Sequence, residues 1–185
     1  MTYTLPIETD RLTLRRYVES DYDDLLKLQS NPDVTRFLLY DPKTPEQVKE
    51  TLASRLADVP MDGPDQALTV AVIQRETGQH VGEVTLFVES FDHQGGEIGF
   101  VFHPEFHGRG FAAEAAIELL RLGFEELEMH RIIGRLDAAN TGSAKLLKRL
   151  GMRQEALFRQ NEFLKGEWTD EAVFAMLRDE WIKRS

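Results

Sequence analysis

The spacing of apolar residues changes from a period of two to a period of 3.6 within one short stretch, and two glycines mark the change. Residues 67–74 are nearly all apolar or β-branched. Glu76-Thr77-Gly78-Gln79 reverses the chain into a second strand at 81–88, and Phe91-Asp92-His93-Gln94-Gly95-Gly96 reverses it again into 97–102. Three strands joined by tight turns predict an antiparallel meander. Beyond Gly108 and Gly110, the residues Ala112, Ala116, Leu119 and Leu120 recur at helical spacing. A helix therefore follows the meander directly and must bury its apolar stripe against it.

The flanking segments extend this pattern. Leu12, Leu14 and Arg16 alternate with Thr13, Arg15 and Tyr17 as a half-buried first strand. Ser20 or Asp21 can cap a helix carrying Leu25, Leu26 and Leu28, and Asn31-Pro32 stops it. Thr44-Pro45-Glu46-Gln47 reads as a capping box opening a helix to about residue 58, with Val48, Leu52, Leu56 and Val59 on one stripe. Val59-Pro60-Met61-Asp62-Gly63-Pro64 is then a loop, not a domain boundary. The helix after the meander is expected to end at Leu122-Gly123-Phe124 with Gly123 in the left-handed cap conformation. A strand at 131–136, a helix at 140–150 closed by Gly151, and strands at 153–163 and 171–177 complete the chain. The last strand is apolar on both alternations and should lie inside the sheet. The order βααβββαβαββ implies an α/β (α+β) fold, with a mixed sheet covered by helices. A chain of 185 residues suits a single domain, 1–185.

Chemistry concentrates in His103-Pro104-Glu105-Phe106-His107-Gly108-Arg109-Gly110-Phe111-Ala112, between a strand and an amphipathic helix. The first N–H groups of a helix have no partner within it, and with the positive end of the helix dipole they make an anion site. Gly108 and Gly110 allow the backbone to curve closely around a ligand, and Arg109 adds charge. The loop is neither a Walker sequence nor a dinucleotide fingerprint. A strand-to-helix turn without a ligand is the competing reading.

Several function classes drop out. The chain has 22 basic and 32 acidic residues, a formal charge of −10, which argues against a nucleic-acid partner and is compatible with a cationic substrate. There are no cysteines, so no thiol nucleophile or thiolate metal site exists. His80, His93, His103, His107 and His130 form no metal-binding spacing, and no metal is expected. The N-terminus has no signal-peptide pattern and no apolar run approaches membrane-spanning length, so a cytoplasmic location is expected.

In order and spacing, several segments resemble the GNAT superfamily of N-acetyltransferases, in particular its Rim-type branch of ribosomal-protein N-terminal acetyltransferases. They are Thr9-Asp10-Arg11-Leu12-Thr13-Leu14-Arg15, Gly96-Glu97-Ile98-Gly99-Phe100, the 103–116 segment, His130-Arg131-Ile132, Asn140-Thr141-Gly142-Ser143, Leu150-Gly151-Met152 and Gly166-Glu167-Trp168-Thr169-Asp170. The superfamily signature is Gln/Arg-x-x-Gly-x-Gly/Ala, and here Glu105 stands in its first position. The resemblance implies the GNAT acyl-CoA N-acyltransferase fold: a mixed, mostly antiparallel seven-stranded sheet flanked by about four helices. Its fourth and fifth strands, here 97–102 and 131–136, splay into a V that admits the pantetheine arm of acetyl-CoA. The pyrophosphate would lie on N–H groups of Phe106, His107, Gly108, Arg109, Gly110, Phe111 and Ala112. The acetyl carbonyl would face an N–H near Phe100 or Val101. Asn140 is a natural helix cap, and the resemblance gives it a second role, hydrogen bonding to the coenzyme arm. The resemblance also makes Ser143 the candidate proton donor to the leaving thiolate; many relatives use a tyrosine, none follows Tyr40 here, and Ser143 or a water must substitute.

Forming an amide from a thioester requires a neutral amine, so a carboxylate near the cleft is needed as base. The resemblance points to Glu162, with Glu97 as the alternative. No covalent intermediate is required. The expected acceptor is a primary amine, either a protein N-terminus or a small molecule such as a polyamine, amino sugar or amino acid. A non-catalytic acyl-CoA-binding regulatory module on the same fold is the rival from another class, and a homodimer is compatible with either. Phe37, Leu38, Leu39 and Tyr40 are candidates to line the acceptor pocket.

Overall fold

A computed structural model describes residues 3–57 and 61–184. Its elements are β1 (Ile7–Glu8), β2 (Leu12–Arg15), α1 (Tyr22–Gln29), α2 (Pro32–Thr35), α3 (Pro45–Leu56), β3 (Ala67–Gln74), β4 (His80–Ser90), β5 (Gly95–Phe102), α4 (Phe111–Arg121), β6 (Arg131–Asp137), α5 (Thr141–Arg149), β7 (Arg153–Leu164), β8 (Glu167–Leu177) and α6 (Arg178–Ile182). All eight strands form one sheet in the order β1-β2-β3-β4-β5-β6-β8-β7. Only the β5–β6 neighbours run parallel. This is the expected mixed, mostly antiparallel sheet, with the two-residue strand β1 added at its edge and the short helices α2 and α6 added around it. The last strand, β8, lies between β6 and β7 as its two-sided apolar pattern requires.

Directly paired residues on neighbouring strands share a face of the sheet. Val72, Leu86, Ile98, Ile132 and Phe174 form one apolar face, against which α4 buries Phe111, Ala115, Ala116, Leu119 and Leu120. Each fully buried leucine there contributes about 1.5–3 kcal/mol. On the other face Leu25 of α1, Val48 and Leu52 of α3, Tyr17 and Ala71 make a smaller cluster at the β2–β3 side. Beneath α3 a polar network is buried with it. The Tyr17 hydroxyl donates to Glu83 Oε2 at 2.7 Å and lies 3.2 Å from His80 Nε2, while Arg55 pairs with Glu83.

The capping box forms as expected: Thr44 Oγ1 accepts from Gln47 N–H at 3.3 Å and Gln47 Oε1 accepts from Thr44 N–H at 2.9 Å. The expected helix residues Asp58 and Val59 lie outside the described residues, and Leu56 is exposed instead of lying on the buried stripe. Three local expectations need correction. Asp21 caps no N–H of α1; it ends a short 3₁₀ turn over Glu19–Asp21, where its carboxylate accepts from Val18 N–H at 2.8 Å and pairs with Arg15 at 2.7 Å. Asn31-Pro32 does end α1, but Asn31 Oδ1 then accepts from Asp33 N–H at 2.9 Å and starts α2. Gly123 takes no left-handed conformation. The chain continues as a π-turn over Leu122–Glu126, and Glu128 turns it with φ 53°. Gly123 is needed for space, since a Cβ there would lie 2.6 Å from Ile132 Cδ1. Gly151 does close α5 in the left-handed conformation, at φ 82°.

The β5–β6 ladder is short. Its only paired residues are Gly95–Arg131, Gly96–Ile132 and Glu97–Ile133. Beyond them the two strands diverge, while β5 stays paired to β4 as far as Phe102 and β6 to β8 as far as Asp137. This divergence is the V expected between the 97–102 and 131–136 strands.

Candidate active site

At the end of β5 the chain makes a 3₁₀ turn over Pro104–Phe106 and enters α4 through Gly108 and Gly110, with φ of 74° and 83°. Both glycines hold the left-handed conformation, and Gly110 is the N-cap of α4. Nothing lies within 4 Å of a Cβ built on Gly108. No side chain caps the first-turn N–H groups of α4.

A cavity of about 590 Å³ opens in front of this loop. Of the sequence-predicted residues, Phe100, Val101, Phe106, His107, Gly108, Gly110, Phe111, Ala112, Asn140 and Ser143 all line it. Asn140 Oδ1 accepts from Ser143 N–H at 3.1 Å, so the cap that starts α5 also fixes Ser143 at the cavity wall. Phe37 and Leu38 line it too, whereas Leu39 is 75% exposed and Tyr40 lies over Lys43, 4.7 Å from its Nζ.

Arg109 departs from expectation. Its guanidinium lies over the rings of Phe111 and Phe106, 4.9 and 5.6 Å from their centroids, and does not line the cavity. Its carbonyl accepts from Arg11 Nη1 at 2.9 Å. Arg11 is a residue the sequence reading gave no role in the site. It also binds Glu114 in the first turn of α4, through Nε at 2.7 Å and backbone N–H at 3.0 Å. Burial alone would raise the Glu114 carboxyl, but hydrogen bonds from Thr9 and Arg11 hold it below its ordinary range. Arg11 therefore neutralises an acid that would otherwise repel an anion at this helix end.

Glu97 and Glu162 do not line this cavity. Cross-strand register places them on the sheet face opposite α4 and α5. Glu97 pairs with Phe87, Arg135 with Val173, Asp137 with Glu171, and Thr169 with Glu162. Arg135 Nε lies 3.2 Å from Glu97 Oε2, and its Nη2 pairs with Glu89. Glu89, Glu97, Asp137, Glu162 and Glu171 thus gather around a single guanidinium beside the V. Burial raises the Glu97 carboxyl, with Arg135 opposing and Glu89 and Glu171 reinforcing. Burial also raises Glu162, reinforced by Glu171 and Asp137. The two carboxyls differ in their partners. Glu97 is tied to Arg135, whereas Glu162 has no hydrogen bond or ion pair to any described residue. Glu171 accepts from Asn161 Nδ2 at 2.7 Å, and Asp137 Oδ1 from Ala139 N–H at 2.8 Å.

The sequence signal that could have found Glu171, Asp137 and Arg135 is register. Each faces the same way as Glu97 or Glu162 once the strands are aligned, but which strands pair is decided by tertiary packing. Among the described residues no group of His, Asp or Glu is arranged to hold a metal ion, and no helix is long and apolar enough to cross a membrane.

The family profile of the Acetyltransferase (GNAT) domain matches residues 11–153. An uncharacterised N-acetyltransferase of Bacillus subtilis, YnaD, is 32% identical over 175 residues, covering 95% of this chain and 98% of that protein. The spermidine N(1)-acetyltransferase of Vibrio cholerae is 22% identical over 175 residues, covering 95% of this chain and 98% of its own. Among solved structures, a GNAT-family acetyltransferase from Bacillus anthracis superposes with a TM-score of 0.84 at 28% identity, over 95% of this chain and 100% of that one. Neither the profile nor these relatives single out the Rim-type branch.

Proposed function

The chain belongs to the GNAT family of acetyltransferases and transfers acetyl from acetyl-CoA to an amine, and we propose that this amine is carried by a small, cationic molecule. The coenzyme fits the residues present. The loop offers unpartnered N–H groups and two left-handed glycines where a pyrophosphate needs close approach, and the cavity runs from that loop to Phe100 and Val101 at the mouth of the V.

The observation that carries the choice of acceptor is the group of five carboxylates around Arg135 beside the V. A face of net negative charge attracts and orients an ammonium before reaction, and a second ammonium on the same molecule would be held as well. The Vibrio cholerae relative is named for spermidine, a molecule of this kind. A protein α-amine, which brings a single ammonium, is the competing acceptor.

Acetyl-CoA supplies an acyl carbon activated as a thioester. Glu162, unpaired and with its carboxyl raised by burial and neighbouring carboxylates, takes a proton from the bound ammonium and leaves the neutral amine that attacks. Ser143, at the cavity wall, donates a hydrogen bond or proton toward the departing sulfur. A backbone N–H at Phe100 or Val101 stabilises the oxygen on which charge develops. A carbon–nitrogen bond forms as the carbon–sulfur bond breaks; the nitrogen gives up two protons in all, one to Glu162 before attack and one after it, and sulfur gains one. Asn140 holds the helix start that places Ser143.

The test is coenzyme-dependent acetylation across a panel of spermidine, spermine, diamines, amino sugars, amino acids and short peptides with free N-termini. Polyamines are expected to give the highest kcat/KM. Peptide N-termini outperforming every polyamine would overturn the acceptor assignment and leave the transferase chemistry standing.

A further inference from the structure

In a chain of charge −10, most arginines are tied to a carboxylate: Arg11, Arg15, Arg55, Arg75, Arg121, Arg131, Arg135, Arg153 and Arg178 all form ion pairs. Lys145 and Arg149 are different. Both lie on α5, four residues apart and so on one helix face. Both line the 590 Å³ cavity together with Gly142, Ser143 and Leu146 of the same helix. Neither has a hydrogen bond, ion pair or ring contact with any described residue. Two cations left unpaired in an acidic protein, facing the cavity that takes the coenzyme, are available to an anion from outside the chain.

Resting on the coenzyme reading above, we infer that Lys145 and Arg149 bind the ribose 3′-phosphate of coenzyme A and make the protein discriminate against its 3′-dephospho form. The coenzyme carries two anionic groups of different kinds. Its pyrophosphate is a diester-type anion suited to the convergent N–H groups of the α4 loop. Its 3′-phosphate is a monoester, with a charge of about −1.5 to −2 at neutral pH, like other phosphate monoesters. A dianion needs point charges and charge-assisted hydrogen bonds, which the loop does not add because Arg109 is stacked on Phe106 and Phe111. Across the cavity α5 supplies one ammonium and one guanidinium. The lining contains one carboxylate, Asp33 of α2. Lys148, on the same helix, lies 5.9 Å from the Phe174 ring centroid and does not line the cavity, which makes it the internal control.

The experiment is isothermal titration of the full chain with CoA and with 3′-dephospho-CoA, for the unaltered protein, Lys145→Ala/Arg149→Ala and Lys148→Ala. Lys145 and Arg149 are exposed, so the fold is not at risk, and circular dichroism checks it. The unaltered protein is expected to prefer CoA by roughly 10- to 100-fold, the order of a charge-assisted contact. The double variant should lose that preference by weakening CoA alone, with 3′-dephospho-CoA affinity unchanged, and Lys148→Ala should keep it. An unaltered protein that binds both forms equally, a double variant that retains the ratio, or one that weakens both ligands alike would overturn the inference; the last outcome would assign the two cations to the pyrophosphate. Because 3′-dephospho-CoA retains the arm and pyrophosphate, its binding to the unaltered protein tests the coenzyme reading separately. Failure to bind either form overturns both.

Discussion

Replacing Glu162 by Gln removes the unpaired carboxylate on the acceptor face while keeping its size. An alkyl ammonium with pKa near 10 is neutral in only about one molecule in 10³ at pH 7, so the base has work to do. A positioned general base contributes about 10²–10⁴ in rate. Glu162 is partly exposed and a water could replace it in part, so the expected loss in kcat is near the lower end, about 10²-fold. Burial and the neighbouring Glu171 and Asp137 raise this carboxyl above its ordinary range. Its base form is therefore lost as pH falls through that raised value, and kcat/KM should show an acidic limb which the Gln variant lacks. Glu97→Gln provides the contrast. Glu97 is one of two carboxylates on Arg135, so its removal leaves the guanidinium paired with Glu89 alone and less neutralised, which should raise KM for a cationic acceptor more than it lowers kcat. The assay is stopped-flow single turnover with preloaded coenzyme, from pH 5 to 9. A near-native rate and an unchanged acidic limb in Glu162→Gln would refute the assignment, and a loss of kcat in Glu97→Gln alone would transfer the role.

Gly110→Val forces a β-branched residue to φ 83° and places a side chain 3.4 Å from Arg11 Nη2, so CoA affinity measured by calorimetry should fall by at least 10-fold in a folded protein. Ser143→Ala should slow the single-turnover step more than it weakens coenzyme binding, and an unaffected step would assign proton donation to water. Gly123→Val should cost about 1–3 kcal/mol in urea unfolding, because its Cβ would lie 2.6 Å from Ile132 Cδ1; a neutral result would mean the π-turn yields freely. Burial, with His103 adding to it, depresses buried His80 to about 4 from an ordinary 6.5. The unfolded chain then binds the extra proton first, so stability is lost as pH falls from about 6.5 toward 4, by up to about 3 kcal/mol. Urea midpoints measured from pH 7.5 to 4.5 should follow that slope, and a slope undiminished in His80→Gln would exclude this histidine as its source.

Most of the fold was legible because its signals are local. The alternation in β3, β4 and β5, the Thr44 box and the Asn140 cap each depend on residues within a few positions of one another. The glycine turn at Gly108 and Gly110 into α4 was legible for the same reason. What failed depended on distant partners. Gly123 looks like a helix stop until β6 brings Ile132 against it. The side chain of Arg109 looks directed at the loop's open side until Phe106 and Phe111 offer it their rings. Arg11 has no visible role until β2 comes beside α4, 98 residues away from the carbonyl it binds. The acidic face was half seen: Glu97 and Glu162 were singled out one at a time, but only strand order gathers them with Asp137 and Glu171.

The short β5–β6 ladder also bears on how the sheet avoids unwanted partners. After Glu97 and Ile133, two strands present backbone donors and acceptors to each other across a gap too wide to bridge. That makes an exposed sheet edge, which on the outside of a protein invites another chain to add itself. Of the outer edges, β1 is two residues long, and β7, twelve residues long, is broken by register shifts against β8 at Gln154–Ala156 and Phe158–Glu162, which bend an edge away from a flat pairing surface. A further unpaired stretch lies in the interior, beside α4 and α5. A second polypeptide with its side chains is too bulky to enter it, whereas a slender arm with amides spaced along an unbranched chain can reach it. The fold keeps its adhesive edge and lets the dimensions of the slot select what adheres.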